Sequence, residues 1–361
     1  MAVSTATPTE TAVEKKALIG KTGQEWLAGY AFVTPALLVV LVFVFIPMIY
    51  AFFISFTDWT GLQPPQEANN VGFYNYQQLL VDDTTVRDEF FRSIKNTVYY
   101  VIGVVPTQTV IALLLAIIVN QKFLKGRGFF RTAFYFPSIT SSIVIGLIFL
   151  WLFNRDGLIN RGITGLSSLV GIKYTPVVWL NDLNGLIHNF LGFFGLNIRT
   201  IPDWMKTEVL GQTIWQWISG PSVTLTAIMV LAIWTTSGTM MLIFLAALQD
   251  IPGQLYEAAA VDGATRWQQF RHITVPMLRP TTFFVVTLGL IGTFQVFDQI
   301  YVISQGQPAG TTTTIAWIVY RNAFKDSQAG LGAATAFVLF VIILVFNLLQ
   351  RRLTGQNKSI N

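Results

Sequence analysis

Six apolar runs dominate this chain, at 30–53, 97–119, 133–153, 222–248, 281–303 and 331–349, and the only Asp, Glu, Lys or Arg in any of them is Asp298. About 20 apolar helical residues cross about 30 Å of hydrocarbon, so each run is near or above the length of a membrane span. Backbone buried in lipid must satisfy its own hydrogen bonds, which a helix does within one segment. Of 361 residues, 53% are hydrophobic and 11% charged, against about 25% charged in ordinary soluble domains, so a soluble globular enzyme is excluded. The expected fold is an all-α polytopic membrane protein with six core transmembrane helices.

The charges give the expected orientation. If the connecting segments alternate sides, one side holds 1–27, 120–132, 249–280 and 350–361, with 13 Lys and Arg in 84 residues. The other holds 54–96, 155–221 and 304–330, with 10 in 137. The positive-inside rule then places both termini in the cytoplasm, with Lys122, Lys125, Arg127 and Arg131 the sharpest cluster. The net charge of +5 therefore reads as membrane anchoring, not as nucleic-acid binding. The domain plan is a cytoplasmic tail at 1–27, a transmembrane domain at 28–353 and a cytoplasmic tail at 354–361.

Cysteine is absent and only His188 and His272 are present, each isolated, so neither a thiolate site nor a histidine-rich metal centre is expected. Residues 1–23 lack a sustained period and read as poorly ordered. Within them Gly20-Lys21-Thr22 imitates the end of a phosphate-binding loop, but Lys15 stands where that motif needs glycine. Any ATP chemistry must come from another chain.

Outside the membrane, 54–96 is net acidic and reads as a solvated loop. The 155–221 loop is long, and its apolar patches at 185–198 and 214–218 are too short to span, so they are expected at an interface or packed on the outer surface. Pro35, Pro47, Pro106 and Pro137 lie in or beside spans, where proline is tolerated and can bend a helix.

The cytoplasmic segment 250–280 reads DIPGQLYEAAAVDGATRWQQFRHITVPMLRP. Pro252 suits a first helical turn, the run 254–262 favours helix with Ala258, Ala259 and Ala260 as a small-residue face, and Gly263 ends it. A second short helix, about 266–273, is expected to stop at Pro276, with Pro280 at the entry to the next span.

This segment resembles the Glu-Ala-Ala signature of ATP-binding-cassette importer permeases. The matching positions are Glu257, Ala258, Ala259, Asp262, Gly263, Ala264, Phe270, Ile273, Pro276 and Pro280. The resemblance implies that the segment is a coupling helix that docks in a groove of an ATPase subunit. The stretch TFQVFDQIYVISQGQPAGTTTTIAWIVYRNAF, together with 55–59 and 126–131, is similar to the carbohydrate-uptake branch, the maltose and glycerol-phosphate type permeases, although Gln305-Gly306-Gln307-Pro308 lacks that branch's double glycine.

The resemblance implies a type I importer permease forming half of a sugar pathway. Its partners would be a second homologous permease, two cytoplasmic ATPase subunits that bind ATP and Mg, and an extracytoplasmic sugar-binding protein, with no cofactor in this chain. Polar groups at membrane depth are pathway candidates by default. Here they are Trp234, Thr235, Thr236, Ser237 and Thr239 in the fourth span, and Thr293, Gln295 and Asp298 in the fifth. The resemblance favours Thr236, Thr239 and Gln295, while Asp298, about 27 Å above Pro280, is expected near the outer interface. Spans without Arg or Lys favour a neutral di- or oligosaccharide or glucoside over a polyol or glycerol phosphate. In a different class stands an ATP-independent secondary transporter, which calls for mid-membrane charges and repeated broken helices. A membrane enzyme would need catalytic groups clustered at depth.

Overall fold

The computed structural model describes residues 21–121 and 124–353, so the 1–20 part of the N-terminal tail and the 354–361 tail lie outside the described residues. The chain divides into two units, 1–53 and 54–361. Among the described residues, five helices are long and apolar enough to cross a membrane, and six if a sharply bent pair is counted as one span.

The first unit is helical from Lys21, inside the tail expected to be poorly ordered. Its Lys21–Val40 helix runs through a π turn, Leu41–Phe45, into Ile46–Ile54. In that turn the Ile46 N–H reaches back to the Leu41 carbonyl, and Pro47 follows directly. Proline has no N–H and its ring crowds the carbonyl four residues earlier, so a wider turn accommodates it without ending the helix.

In the second unit, the Thr85–Asn120 and Val223–Gln249 helices form the central pair. Each opens on a hydroxyl cap, Thr84 accepting from the Arg87 N–H at 3.5 Å and Ser222 from the Leu225 N–H at 3.0 Å, which satisfies N–H groups that the helix itself leaves free. Tyr100, Val104, Leu225 and Ile228 are buried between them with Ile300 and Trp317. A second cluster, Ala112, Ala116, Met241, Phe244, Leu248, Ile251 and Leu278, ties the other ends of these helices to the 250–280 segment. The Arg279–Phe294 and Ala329–Leu353 helices complete the unit.

Three spans depart from the sequence expectation. The third is two helices, Arg127–Ile139 and Ser142–Leu152, bent by 96°. The break falls in the hydroxyl-rich stretch Ser138, Thr140, Ser141 and Ser142 just after Pro137, where side-chain oxygens compete for backbone hydrogen bonds and the helix loses its local advantage. The fifth pauses between Phe294 and Asp298, where Phe297 has φ −133° and ψ −56°, and resumes as Asp298–Ile303. The second span also differs, because its helix begins at Thr85 and carries Glu89, Arg92 and Lys95 beyond the apolar run. Pro106 lies within that helix and Pro35 within the Lys21–Val40 helix, neither at a break.

The long 155–221 segment is folded. Asn160, 2% exposed, donates to the carbonyls of Arg155 and Val177 and accepts from the Tyr174 hydroxyl and the Trp179 indole at 2.7–3.0 Å. The apolar patch at 185–198 contains the Leu186–Phe193 helix with Phe190, Phe193 and Phe194 exposed. The second patch contains the Ile214–Trp217 helix, closed by a capping box between Thr213 and Gln216, and follows a hairpin of Glu208–Val209 with Gln212–Thr213.

Candidate functional site: a membrane cavity and a short connecting helix

The bend in the third span opens a cavity of about 270 Å³ against the fourth span. It is lined by Pro137, Ser138, Thr140, Ser142, Thr235, Thr236, Thr239 and Gln299, with Ile145, Leu231 and Met240 as the apolar part. No charged side chain lines it. Hydroxyls and one amide on an apolar wall suit a neutral hydroxylated solute, which needs hydrogen bonds without charge neutralisation.

Local chemistry holds this wall. The Ser138 hydroxyl donates to the Thr235 carbonyl at 2.6 Å, and the same oxygen accepts the Thr239 N–H at 3.2 Å. The two helices can approach this closely because residue 238 is glycine: a Cβ there would lie 2.2 Å from the Phe134 carbonyl oxygen. The single proton of the Thr236 hydroxyl is shared between two acceptors, the Ala232 carbonyl at 2.7 Å and Oε1 of Gln108, a side chain 1% exposed on the second span.

Of the residues anticipated for the pathway, the cavity therefore gathers Thr236 and Thr239 with Thr235. Trp234 points elsewhere: it is exposed, with its ring 5.7 Å from that of Phe149. Gln295 and Asp298 do not line the cavity; both are exposed at the pause in the fifth span, and Asp298 opens the short helix that follows. Thr293 is buried and back-bonded to the Gly289 carbonyl at 2.7 Å. Ser237 is buried too. The pause explains the difference, because residues beyond it no longer continue the register of the Arg279–Phe294 helix. Ser138, Thr140, Ser142 and Gln299, which the sequence did not single out, also line the cavity.

In the 250–280 segment, the Gly253–Val261 helix begins directly after Pro252 and ends where Gly263 adopts φ +77°, a left-handed conformation that glycine takes without strain. Glu257, Ala258 and Asp262 are exposed, Ala259 and Ala264 half-buried, and Leu255 and Val261 present apolar surface. The inner side is fixed: the Tyr256 hydroxyl lies 2.8 Å from Thr274 Oγ1, and Tyr256 and Ile273 pack on the Met241–Leu278 cluster. Phe270 stacks obliquely against Trp267 at 5.4 Å.

The second short helix does not stop at Pro276. It starts with a Thr265–Gln268 capping box and passes through a π turn, Phe270–Thr274. It continues as Val275–Met277 and, past Leu278, into the fifth span. The widened turn before Pro276 relieves the proline clash as it does before Pro47. The result is a short helix joined to a membrane helix by a nearly continuous helical connection.

His188 stacks on Trp215 at 4.1 Å with Nε2 2.9 Å from the Trp215 carbonyl, and His272 Nδ1 lies 3.0 Å from the Gln268 carbonyl. Both histidines have local structural partners. Among the described residues, no group of three or more His, Cys, Asp or Glu side chains converges as metal ligands would.

The fold and the sites define a polytopic helical transport subunit. Residues 108–356 match the family of binding-protein-dependent transport system inner membrane components. The chain belongs to this family, the permease components of binding-protein-dependent importers, and is not an enzyme. It is 32% identical over 333 residues to the arabinooligosaccharides transport system permease protein of Bacillus subtilis, covering 92% of this chain and 90% of that one. It is 30% identical over 326 residues to the multiple sugar-binding transport system permease protein of Streptococcus mutans, covering 90% and 94%. Its fold matches a chain in the crystal structure of a bacterial alginate ABC transporter in complex with an alginate pentasaccharide-bound periplasmic protein, with TM-score 0.66, 24% identity, and coverage of 93% and 96%. The secondary-transporter reading has no support in these likenesses.

Proposed function

We propose that this chain is a permease subunit of an ATP-driven sugar importer, and that the cavity at the bend of the third span is part of the sugar's path. The observation that carries the reading is the cavity's uncharged lining of hydroxyls and one amide, from Thr140, Ser142, Thr236, Thr239 and Gln299. It suits a neutral di- or oligosaccharide or glucoside. A phosphorylated polyol would call for Arg or Lys at the wall, and none lines it. The names of the relatives, which specify arabinooligosaccharides and multiple sugars, point the same way.

Such a subunit forms half of a pathway and needs a second homologous permease, two cytoplasmic ATPase subunits and an extracytoplasmic binding protein. ATP and Mg bind to the ATPase subunits. Both termini lie in the cytoplasm, where the denser Lys and Arg of the 120–132, 249–280 and 350–361 segments suit the inner surface of the cell membrane. Glu257, Ala258, Ala259, Asp262, Gly263 and Ala264 form the docking helix, with Phe270, Ile273 and Pro276 in its connection to the fifth span. The exposed apolar and small residues of Gly253–Val261 enter a groove of the ATPase, and the helical connection transmits the partner's movement as a rigid body.

A mild-detergent pull-down from the native membrane tests this assembly, with stoichiometry by mass spectrometry. The expected result is a P-loop ATPase at two copies and a second permease. A chain recovered alone, with ion-driven uptake, would overturn it.

A further inference from the structure

At the outer end of the second-span helix, a second cavity of about 400 Å³ lies beneath the folded 155–221 segment, within the range of about 300–1,000 Å³ usual for small-ligand sites. Its chemistry is the opposite of the membrane cavity's. Arg92 and Lys95, three residues apart on one helix face, both line it and both are half-buried. Among the described residues neither has an acidic partner: Lys95 Nζ donates to Gln212 Oε1 at 2.6 Å and to the Gln216 carbonyl at 3.2 Å, and Arg92 donates to the Ala309 carbonyl at 3.4 Å. Glu208 lies on the rim, exposed, and forms an ion pair with neither.

A second observation points to a ligand. Gln212 is 3% exposed and lines the same cavity, yet its Nε2 has no hydrogen-bond partner. The amide orientation is fixed by Lys95, because only Oε1 can accept from the ammonium. A buried donor left unpaired is unfavourable, as are two cations side by side with no ion-pair partner; the Asp88 carboxylate against Gly211 at the cavity's edge pairs with Arg87 instead. One group answers all three: a carboxylate, which accepts from a guanidinium, an ammonium and an amide N–H together.

We propose that this cavity is a carboxylate-binding site on the outer face, reached from outside the membrane and separate from the sugar path. Its roof, from the hairpin at Gln212–Thr213 to Ser222, gives the long 155–221 segment a role that a simple connector between spans would not need. Two sources present this chemistry: a free sugar acid, or an acidic side chain of the extracytoplasmic binding protein. The first stands independently of the importer reading and the second rests on it.

The full-length chain, in nanodiscs with its co-purifying subunits, is titrated with glucuronate and with glucose. Saturable glucuronate binding is expected, about tenfold weaker in R92Q or K95Q and retained in R92K. Q212E places a carboxylate permanently beside Lys95, so it is expected to raise the melting temperature and abolish glucuronate binding. If glucuronate does not bind but R92Q and K95Q weaken docking of the binding protein about tenfold, the carboxylate comes from that protein and the site stands. If neither glucuronate nor docking responds, or Q212E lowers the melting temperature, the proposal fails. Co-purification of the ATPase in every variant keeps that outcome apart from a failure of the importer assignment.

Discussion

The Thr236 hydroxyl donates to the side chain of Gln108 across two membrane helices, and this joins the cavity wall to the buried core of the unit. Gln108 has no aqueous alternative at 1% exposure, so the bond sets the rotamer of one residue and the position of the other. The Ala232 carbonyl shares the same Thr236 proton, which leaves Thr236 little freedom to turn toward a solute without giving up one of these acceptors.

A double-mutant cycle between T236V and Q108L should therefore give a coupling energy of about 0.6 kcal/mol and no more than about 1.7, the range for interhelical hydrogen bonds in membranes. Reversible unfolding in mixed micelles measures it. Additive single changes would show that the bond contributes no net stability.

Gly238 should tolerate no side chain. A Cβ meets the Phe134 carbonyl at 2.2 Å and Ser138 Oγ at 2.7 Å, the first a backbone atom and the second held by its bonds to Thr235 and Thr239. G238V is expected to destabilise the unit by about 1–3 kcal/mol through overpacking and to reduce uptake while the chain still inserts. Thermal unfolding with a membrane-insertion control reads this, and a fully stable G238V would mean that the third and fourth spans separate readily.

Glu257 is exposed on the outer side of the Gly253–Val261 helix, so reversing its charge leaves the fold untouched. E257K is expected to insert and bind its sister permease normally while sugar uptake falls about tenfold or more relative to ATP hydrolysis. Parallel uptake and hydrolysis assays in proteoliposomes give the ratio. Unchanged coupling would remove Glu257 from the docking surface.

Acidification should loosen the outer cavity through His188. Burial pushes its pKa below the ordinary 6.5, the hydrogen bond with the Trp215 carbonyl opposes that, and nearby Lys95 lowers it further. Because the folded state binds this proton less readily than the unfolded state, the contribution to stability is complete above about 6.5 and is lost as pH falls through the folded value. Between about pH 7.5 and about pH 5 the wild-type chain should lose more melting temperature than H188Q. Equal losses would show that the stack is indifferent to the charge.

Length, apolarity and the absence of charge in the runs already made this an all-helical membrane protein, because lipid leaves the backbone few other ways to satisfy its hydrogen bonds. The glycine at 263 and the proline at 252 likewise marked the ends of the Gly253–Val261 helix, since their constraints act within one or two residues. Even the break in the third span left a trace in Pro137 and the hydroxyls at 138–142, although a hydropathy window averages over such a trace.

Which polar residues share a cavity was decided only in three dimensions. Gln295 and Asp298 carry the same kind of chemistry as Thr236 and Thr239, but a pause of three residues turns them away and brings in Gln299, with Thr140 and Ser142 from beyond a 96° bend. The meeting of Lys95 with Gln212, 117 positions apart, was equally out of reach of any local pattern. Periodicity and propensity act over a few residues, whereas the direction in which a side chain points after a break depends on how whole helices pack.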